Sequence, residues 1–110
     1  MKMNDDTGII GLIEKDIFSF SEVSRFPGVG FTGNIQNMLG AHQNSGVKVT
    51  EEEDGLIVNC EIIVYFGVNI PQLCYDIQTR IKNDIEKKTG MPVKAVNIRV
   101  EGIDKAEDPS

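Results

Sequence analysis

The clearest pattern in the chain is an alternation of apolar and polar positions over residues 56–66. Alternate side chains of an extended strand share one face. One face of this segment would carry Leu56, Val58, Cys60, Ile62, Val64 and Phe66. A second alternating segment covers residues 47–50, and Asp54-Gly55 between the two is a favourable turn pair because glycine tolerates positive φ. The pattern predicts a β-hairpin.

After residue 69 the spacing of apolar positions changes to three and four, which is typical of one buried stripe on a helix. The stripe consists of Ile70, Leu73, Cys74, Ile77, Ile81 and Ile85. Asn69 can cap the N-terminus, Pro71 is tolerated in the first turn, and Gly90 can take the left-handed conformation that ends many helices. We expect a helix over residues 70–89.

A last strand is predicted near the C-terminus, where Val96, Ile98 and Val100 alternate with polar residues. The polar segment 104–110 has no periodicity, so it is expected to form a tail. The ordered core is then expected to cover about residues 8–103 of a single domain.

The front of the chain has a weaker pattern. Residues 8–12 resemble a short strand, and helical spacing predicts a helix over residues 14–25. Residues 28–45 are rich in glycine and asparagine, and a further strand is suggested there by Val29, Phe31 and Ile35. Together the elements predict an α+β fold: a mostly antiparallel sheet of four or five strands with one long and one short helix packed on it.

Composition places the chain among small folded proteins. It has 110 residues, of which 40% are hydrophobic and 25% charged. The longest apolar run, residues 62–66, is far too short to span a membrane, and the acidic start does not resemble a secretory signal. We therefore expect a cytoplasmic protein without direct membrane insertion. The net charge of −6 opposes the basic surface that nucleic-acid binding requires.

Four short motifs occur in order in the second half of the chain. They are IIVYFGVNIP at residues 62–71, Ile77-Gln78, Thr89-Gly90, and VNIRVEGI at residues 96–103. Over about residues 56–103 the chain thereby resembles the alkaline shock protein family of Gram-positive bacteria. Weaker similarities lie at residues 8–17, 27–29 and 46–49. The chain departs from the family pattern at residues 18–21, where Phe18-Ser19-Phe20-Ser21 stands in place of a small, alanine-rich helix.

The resemblance implies a function as well as a fold. It implies a small α+β protein without known catalysis, linked to cell-envelope stress and abundant in the cytoplasm. In some members a separate anchor protein holds the family domain at the membrane. We therefore expect a non-enzymatic envelope or alkaline stress-response protein that forms homo-oligomers, needs no cofactor, and binds protein partners such as a membrane-embedded adaptor.

A second functional hypothesis, from another class of protein, comes from Gly28, Gly30 and Gly33. These residues fit the G-x-G-x-x-G pattern of nucleotide-binding loops. They would make the chain a small-ligand or nucleotide-binding regulatory module. The dinucleotide fingerprint needs a buried strand before it and a helix after it. Here Arg25-Phe26-Pro27 precedes the motif, and Gly40 leaves six residues for the helix, so a flexible turn is favoured.

The other candidates for metal binding or catalysis have little support in the sequence. The acids of residues 51–54 lack the alternating ligands of a Ca²⁺ loop and fit a solvated hairpin tip better. The single histidine, His42, would need distant Cys60 and Cys74 to bind zinc, and both cysteines are expected to be buried free thiols. No metal site and no catalytic constellation is predicted, which favours a binding protein over an enzyme.

The second face of the central strand is the most informative candidate site. If helices cover only one side of the sheet, Ile57, Ile63 and Tyr65 point away from the core and form an apolar patch. Either the N-terminal segment packs over this patch, or the patch is an interaction face for another copy or a partner. These three residues are the predicted interaction face.

Overall fold

The computed structural model describes residues 2–28 and 46–105, with side chains from residue 8 onward. Helix α1 covers Lys2–Phe18 and is followed by strand β1, Val23–Arg25. Strands β2, Val47–Glu52, and β3, Gly55–Tyr65, form the predicted hairpin. Helix α2, Ile70–Thr89, and strand β4, Val93–Asp104, complete the described part of the chain.

Strand β3 is the centre of a sheet that has four strands among the described residues. Strands β1 and β2 pair antiparallel with successive parts of β3, and β4 pairs parallel with it from Leu56 to Tyr65. Because β4 accompanies β3 over this whole length, β1 and β2 share the opposite edge. Two of the three pairings are antiparallel, so the prediction of a mostly antiparallel α+β sheet is confirmed. The parallel pair follows from α2, since a helical crossover returns the chain to the same end of the sheet.

Both described helices pack on one face of the sheet, where the hydrophobic core lies. The alternation predicted for β3 is confirmed: Leu56, Val58, Cys60, Ile62 and Val64 are all buried in this core. Phe66 is the exception, because β3 ends at Tyr65 and the Phe66 side chain is 75% exposed. Cys60 is buried and Cys74 is half-buried, and both are free thiols. Burial raises the pKa of the Cys60 thiol to about 12.

Helix α2 has the predicted start and end, and four of the six residues of the predicted stripe are buried, whereas Ile70 and Cys74 are half-buried. The Asn69 side chain accepts a hydrogen bond from the backbone N–H of Gln72 at 3.1 Å. Gly90 takes the left-handed conformation at φ 77° and donates its N–H to the carbonyl of Glu86. The four buried residues of the helix are Leu73, Ile77, Ile81 and Ile85.

The front of the chain differs from the prediction. Residues 8–12 are not a strand but lie within α1, and the helix predicted over residues 14–25 ends at Phe18. The i, i+4 spacing of Ile9, Ile13 and Ile17 buries all three against the core, and this burial outweighs the low helix propensity of the glycines beside them. The strand suggested by Val29, Phe31 and Ile35 lies outside the described residues.

Candidate protein-interaction surface

The face of the sheet opposite the two described helices carries the side chains that point away from the core, and we call it the open face. On β3 these are the alternate residues Ile57, Asn59, Glu61, Ile63 and Tyr65. On β2 and β4 their direct neighbours include Lys48, Thr50, Asn97 and Arg99. No described helix covers this face, so the structure brings the three predicted interaction residues to one surface.

The apolar part of the open face is smaller than the sequence indicates. The Ile63 side chain is only 8% exposed, and a Cβ placed on Gly102 of β4 would lie 3.7 Å from its Cγ1. Ile57 and Tyr65 are half-buried. At about 3.3 Å per residue, Ile57 lies roughly 20 Å from Ile63 along β3. The face therefore has two apolar ends rather than one continuous patch.

Polar side chains occupy the middle of the open face. The Asn97 amide donates a hydrogen bond to Asn59 Oδ1 at 2.9 Å, which joins β4 to β3. On β4, Arg99 Nε lies 2.8 Å from Glu101 Oε2, and the Arg99 side chain is 73% exposed. Glu61 is exposed beside Arg99. A partner that covers this centre must supply hydrogen bonds as well as apolar contacts.

A hydrogen-bonded cluster closes the Ile63 end of the sheet. Asp104 of β4 accepts hydrogen bonds from Arg25 Nε at 3.0 Å and from Ser24 Oγ at 2.7 Å. These donors belong to β1, on the far side of β3, so the cluster joins both edges of the central strand. The hydrogen bond from Arg25, followed by that from Ser24, lowers the pKa of Asp104.

The outer edge of β4 is a second surface of interest. Among the described residues β4 pairs only with β3, so its other edge has no strand partner there. The amide of Gln78 in α2 donates a hydrogen bond to the carbonyl of Val96 at 2.8 Å. A groove of about 360 Å³ runs between α2 and this edge, and the exposed Tyr75 lines it. Sequence reasoning missed this edge because a period of two does not show where a strand pairs.

A buried carboxylate lies between the two helices. The Asp16 side chain of α1 is 4% exposed, and its Oδ1 lies 3.7 Å from Arg80 Nε of α2. Its Oδ2 has no hydrogen-bond partner among the described residues. Burial, and then the neighbouring Asp84 carboxyl, raise the pKa of Asp16 to about 7. In the sequence, the burial of Asp16 is indicated by its position beside Ile13 and Ile17 on the apolar stripe of α1.

Only some of the remaining candidate residues for ligand or metal binding lie in the described part of the chain. Gly28 is exposed at φ 83° in the turn after β1, whereas Gly30 and Gly33 lie outside the described residues, as does His42. In the hairpin tip, Glu52 and Asp54 each lie 3.2 Å from Lys94 Nζ. Residues 2–28 and 46–105 contain no group of three or more His, Cys, Asp or Glu side chains that could hold a metal ion. In the same ranges no helix is long and apolar enough to cross a membrane.

Comparison with known proteins supports one family. Residues 8–105 match the profile of the alkaline shock protein 23 family, which is described as having a cell envelope-related function. The uncharacterized protein YqhY of Bacillus subtilis (strain 168) is 29% identical over 66% of this chain and 53% of its own length. The uncharacterized protein Spy1535 of Streptococcus pyogenes is 40% identical over 57% of this chain and 50% of its own.

A third relative is similar over nearly its whole length. The uncharacterized protein Spy1614 of Streptococcus pyogenes is 27% identical over 94% of this chain and 93% of its own. The chain spans about half the length of the YqhY and Spy1535 relatives. No solved structure matches the chain.

Proposed function

Because this chain belongs to the alkaline shock protein 23 family, with its cell envelope-related function, we propose that it is a non-enzymatic envelope stress-response protein. It acts in the cytoplasm by associating with itself and by binding protein partners, among them a membrane-embedded adaptor. The observation that carries this proposal is the open face: both described helices lie on the other side of the sheet. Ile57, Ile63 and Tyr65 contribute the apolar contacts.

The distribution of side chains on the open face favours a protein over a lipid surface. Half-buried Ile57 and Tyr65 lie at the two ends, and the Asn59–Asn97 amide pair lies between them. Such a mixture of apolar anchors and hydrogen-bonding groups is typical of protein interfaces. The net charge of −6 would repel an anionic membrane surface, so recruitment to a membrane requires a protein adaptor.

The test is the assembly size of the purified protein over a concentration series, measured by light scattering coupled to size exclusion. We expect the double variant I57E/Y65E to form smaller assemblies than the wild type while its circular dichroism stays native. The matched control N83E/K88Q changes the net charge by the same two units on the exposed side of α2 and should assemble like the wild type. Unchanged large assemblies in I57E/Y65E would overturn the proposed use of the open face.

A further inference from the structure

In the described part of the chain, Asp16 is the one buried charged residue, and it lies in the contact between α1 and α2. We propose that its carboxyl group is a pH-sensitive switch: loss of its proton to water releases α1 from α2, and return of the proton closes the contact again. The switch lies on the helix side of the sheet. It therefore goes beyond the proposed function and does not depend on the open face.

Two carboxylates share one guanidinium group at this contact. Arg80 Nε lies 3.7 Å from Asp16 Oδ1 and 3.7 Å from Asp84 Oδ2. The Arg80 side chain is 52% exposed, so water screens the attraction that it offers to the buried Asp16. Asp16 Oδ2 has no hydrogen-bond partner among the described residues. An ionised Asp16 is thus a buried charge with incomplete compensation, which is costly.

A protonated Asp16 suits the same contact. Its carboxyl group donates a hydrogen bond to the Asp84 carboxylate, and Arg80 then faces one negative charge instead of two. Burial, and then Asp84, raise the pKa of Asp16 to about 7, so the proton is lost near neutral pH. Ionisation removes this hydrogen bond and adds a second negative charge, and both changes weaken the contact between the helices.

The other charged groups around α1 have a smaller influence on Asp16. Exposed Lys15, on the same helix, favours the ionised form but does not outweigh burial and Asp84. Strand β2 also packs against α1, and its charged residue on the helix side is Glu51, which is exposed. Among the residues of β3 that face the helices, only Cys60 is titratable, and its pKa of about 12 keeps it neutral. The charge of this contact near neutral pH therefore depends on Asp16.

Helix α1 is the element that opens. Gly8 and Gly11 lower its helix propensity, and a Cβ at either position would meet nothing within 4 Å. Helix α2, by contrast, has an N-cap at Asn69 and a left-handed C-cap at Gly90, and it connects two paired strands. Segments of low local stability open while the rest of a protein stays folded. Opening exposes the buried stripe of α1, which consists of Ile9, Ile13 and Ile17.

The pKa values give the sign and the size of the effect. Asp16 has the ordinary pKa of 3.8 when α1 is open and a pKa of about 7 when it is closed, so the closed form binds the proton more tightly. The equilibrium constant for opening is lowest below about pH 4, rises about tenfold per pH unit up to about pH 7, and then levels off. The helix layer thereby converts a change of pH into exposure of an apolar surface.

Hydrogen exchange of the backbone amides tests the switch. The protection factor, which is the intrinsic exchange rate at each pH divided by the measured rate, reports how often an amide opens. In the wild type we expect the protection factors of α1 to fall about a hundredfold from pH 5 to pH 8 and to stay well below those of β3. Asp16→Asn should remove this fall because an amide does not ionise, whereas the matched control Glu14→Gln should keep it.

An NMR titration of the Asp16 carboxyl carbon gives a second measurement that does not depend on the stability of Asp16→Asn. The midpoint should lie at about pH 7 in the wild type and lower in Asp84→Asn, which lacks the neighbouring carboxylate. A wild-type midpoint near the ordinary value of 3.8 would overturn the switch. So would equal protection of α1 and β3, constant protection of α1 between pH 5 and pH 8, or an undiminished fall in Asp16→Asn. None of these results involves assembly size, so the proposed function is tested separately.

Discussion

The guanidinium group of Arg25 and the carboxylate of Asp104 meet across the central strand, with Nε 3.0 Å from Oδ2 and Nη2 3.3 Å from Oδ1. Their strands lie on opposite edges of β3, and the two residues are 79 positions apart in the chain. Planar, two-point contacts of this kind are the more favourable class of surface ion pair.

Arg25→Ala should lower the midpoint of thermal unfolding by a few degrees at neutral pH, because it removes the ion pair that joins β1 to β4. The lowered pKa of Asp104 gives the sign of the pH effect: the stabilisation is present above the ordinary value of 3.8 and is lost as pH falls through the depressed pKa. Melting curves from pH 7 to strongly acid solution should converge for the two proteins. Lys87→Ala on exposed α2 is the control, and a constant difference at all pH values would contradict the prediction.

Asp16 should make stability fall as pH rises. Its pKa is raised from 3.8 to about 7 in the folded state, so the folded protein binds the proton more tightly than the unfolded chain does. Its contribution is most favourable below about pH 4, and the free energy of unfolding should decrease between about pH 4 and pH 7. Arg80 and Lys15 oppose this shift, and Asp84 strengthens it.

Asp16→Asn should remove this slope and raise the stability above pH 7 by on the order of 1–3 kcal/mol, since no charge is then buried. Urea unfolding at pH 5 and pH 8 measures the effect. Glu14→Gln on the same helix should leave the slope as it is in the wild type. An Asp16→Asn variant that keeps the wild-type slope would show that another group titrates.

Two large apolar residues, Ile62 and Phe66, test where the buried alternation of β3 ends. Ile62 is fully buried, so Ile62→Ala should cost about 2–5 kcal/mol of unfolding free energy from lost burial and the cavity left behind. Phe66 is 75% exposed, and Phe66→Ala should cost less than about 1 kcal/mol. Chemical denaturation of both variants gives the comparison. Equal losses would mean that Phe66 belongs to the core.

Two glycines with positive φ differ in the space around them. A Cβ on Gly46, at φ 86°, would lie 2.8 Å from the Glu61 carbonyl oxygen and 3.0 Å from Phe26 Cδ1. Gly90, at φ 77°, has nothing within 4 Å. Gly90→Ala should therefore cost only the backbone strain, about 1–2 kcal/mol, whereas Gly46→Ala adds a clash with the backbone and should cost clearly more. Thermal melting orders the two variants, and an equal effect would contradict the close approach at Gly46.

Local patterns in the sequence determined the two best-defined elements. The alternation over residues 56–66 corresponds to β3, and the stripe and caps of residues 69–90 correspond to α2. Both patterns depend on contacts between residues that are near in sequence, namely the period of the side chains and the hydrogen bonds at helix ends. The shared face of Ile57, Ile63 and Tyr65 follows from the same alternation.

Only the tertiary structure decided how these elements meet. Glycines at residues 8 and 11 weaken the local preference for a helix, yet burial of Ile9, Ile13 and Ile17 keeps α1 helical there. The parallel pairing of β4 depends on where α2 returns the chain, which a period of two does not encode. The burial of Ile63 over Gly102 and of Asp16 against α2 likewise arises from residues far apart in sequence. Local periodicity thus determined the elements, and long-range packing decided which of their surfaces stay exposed.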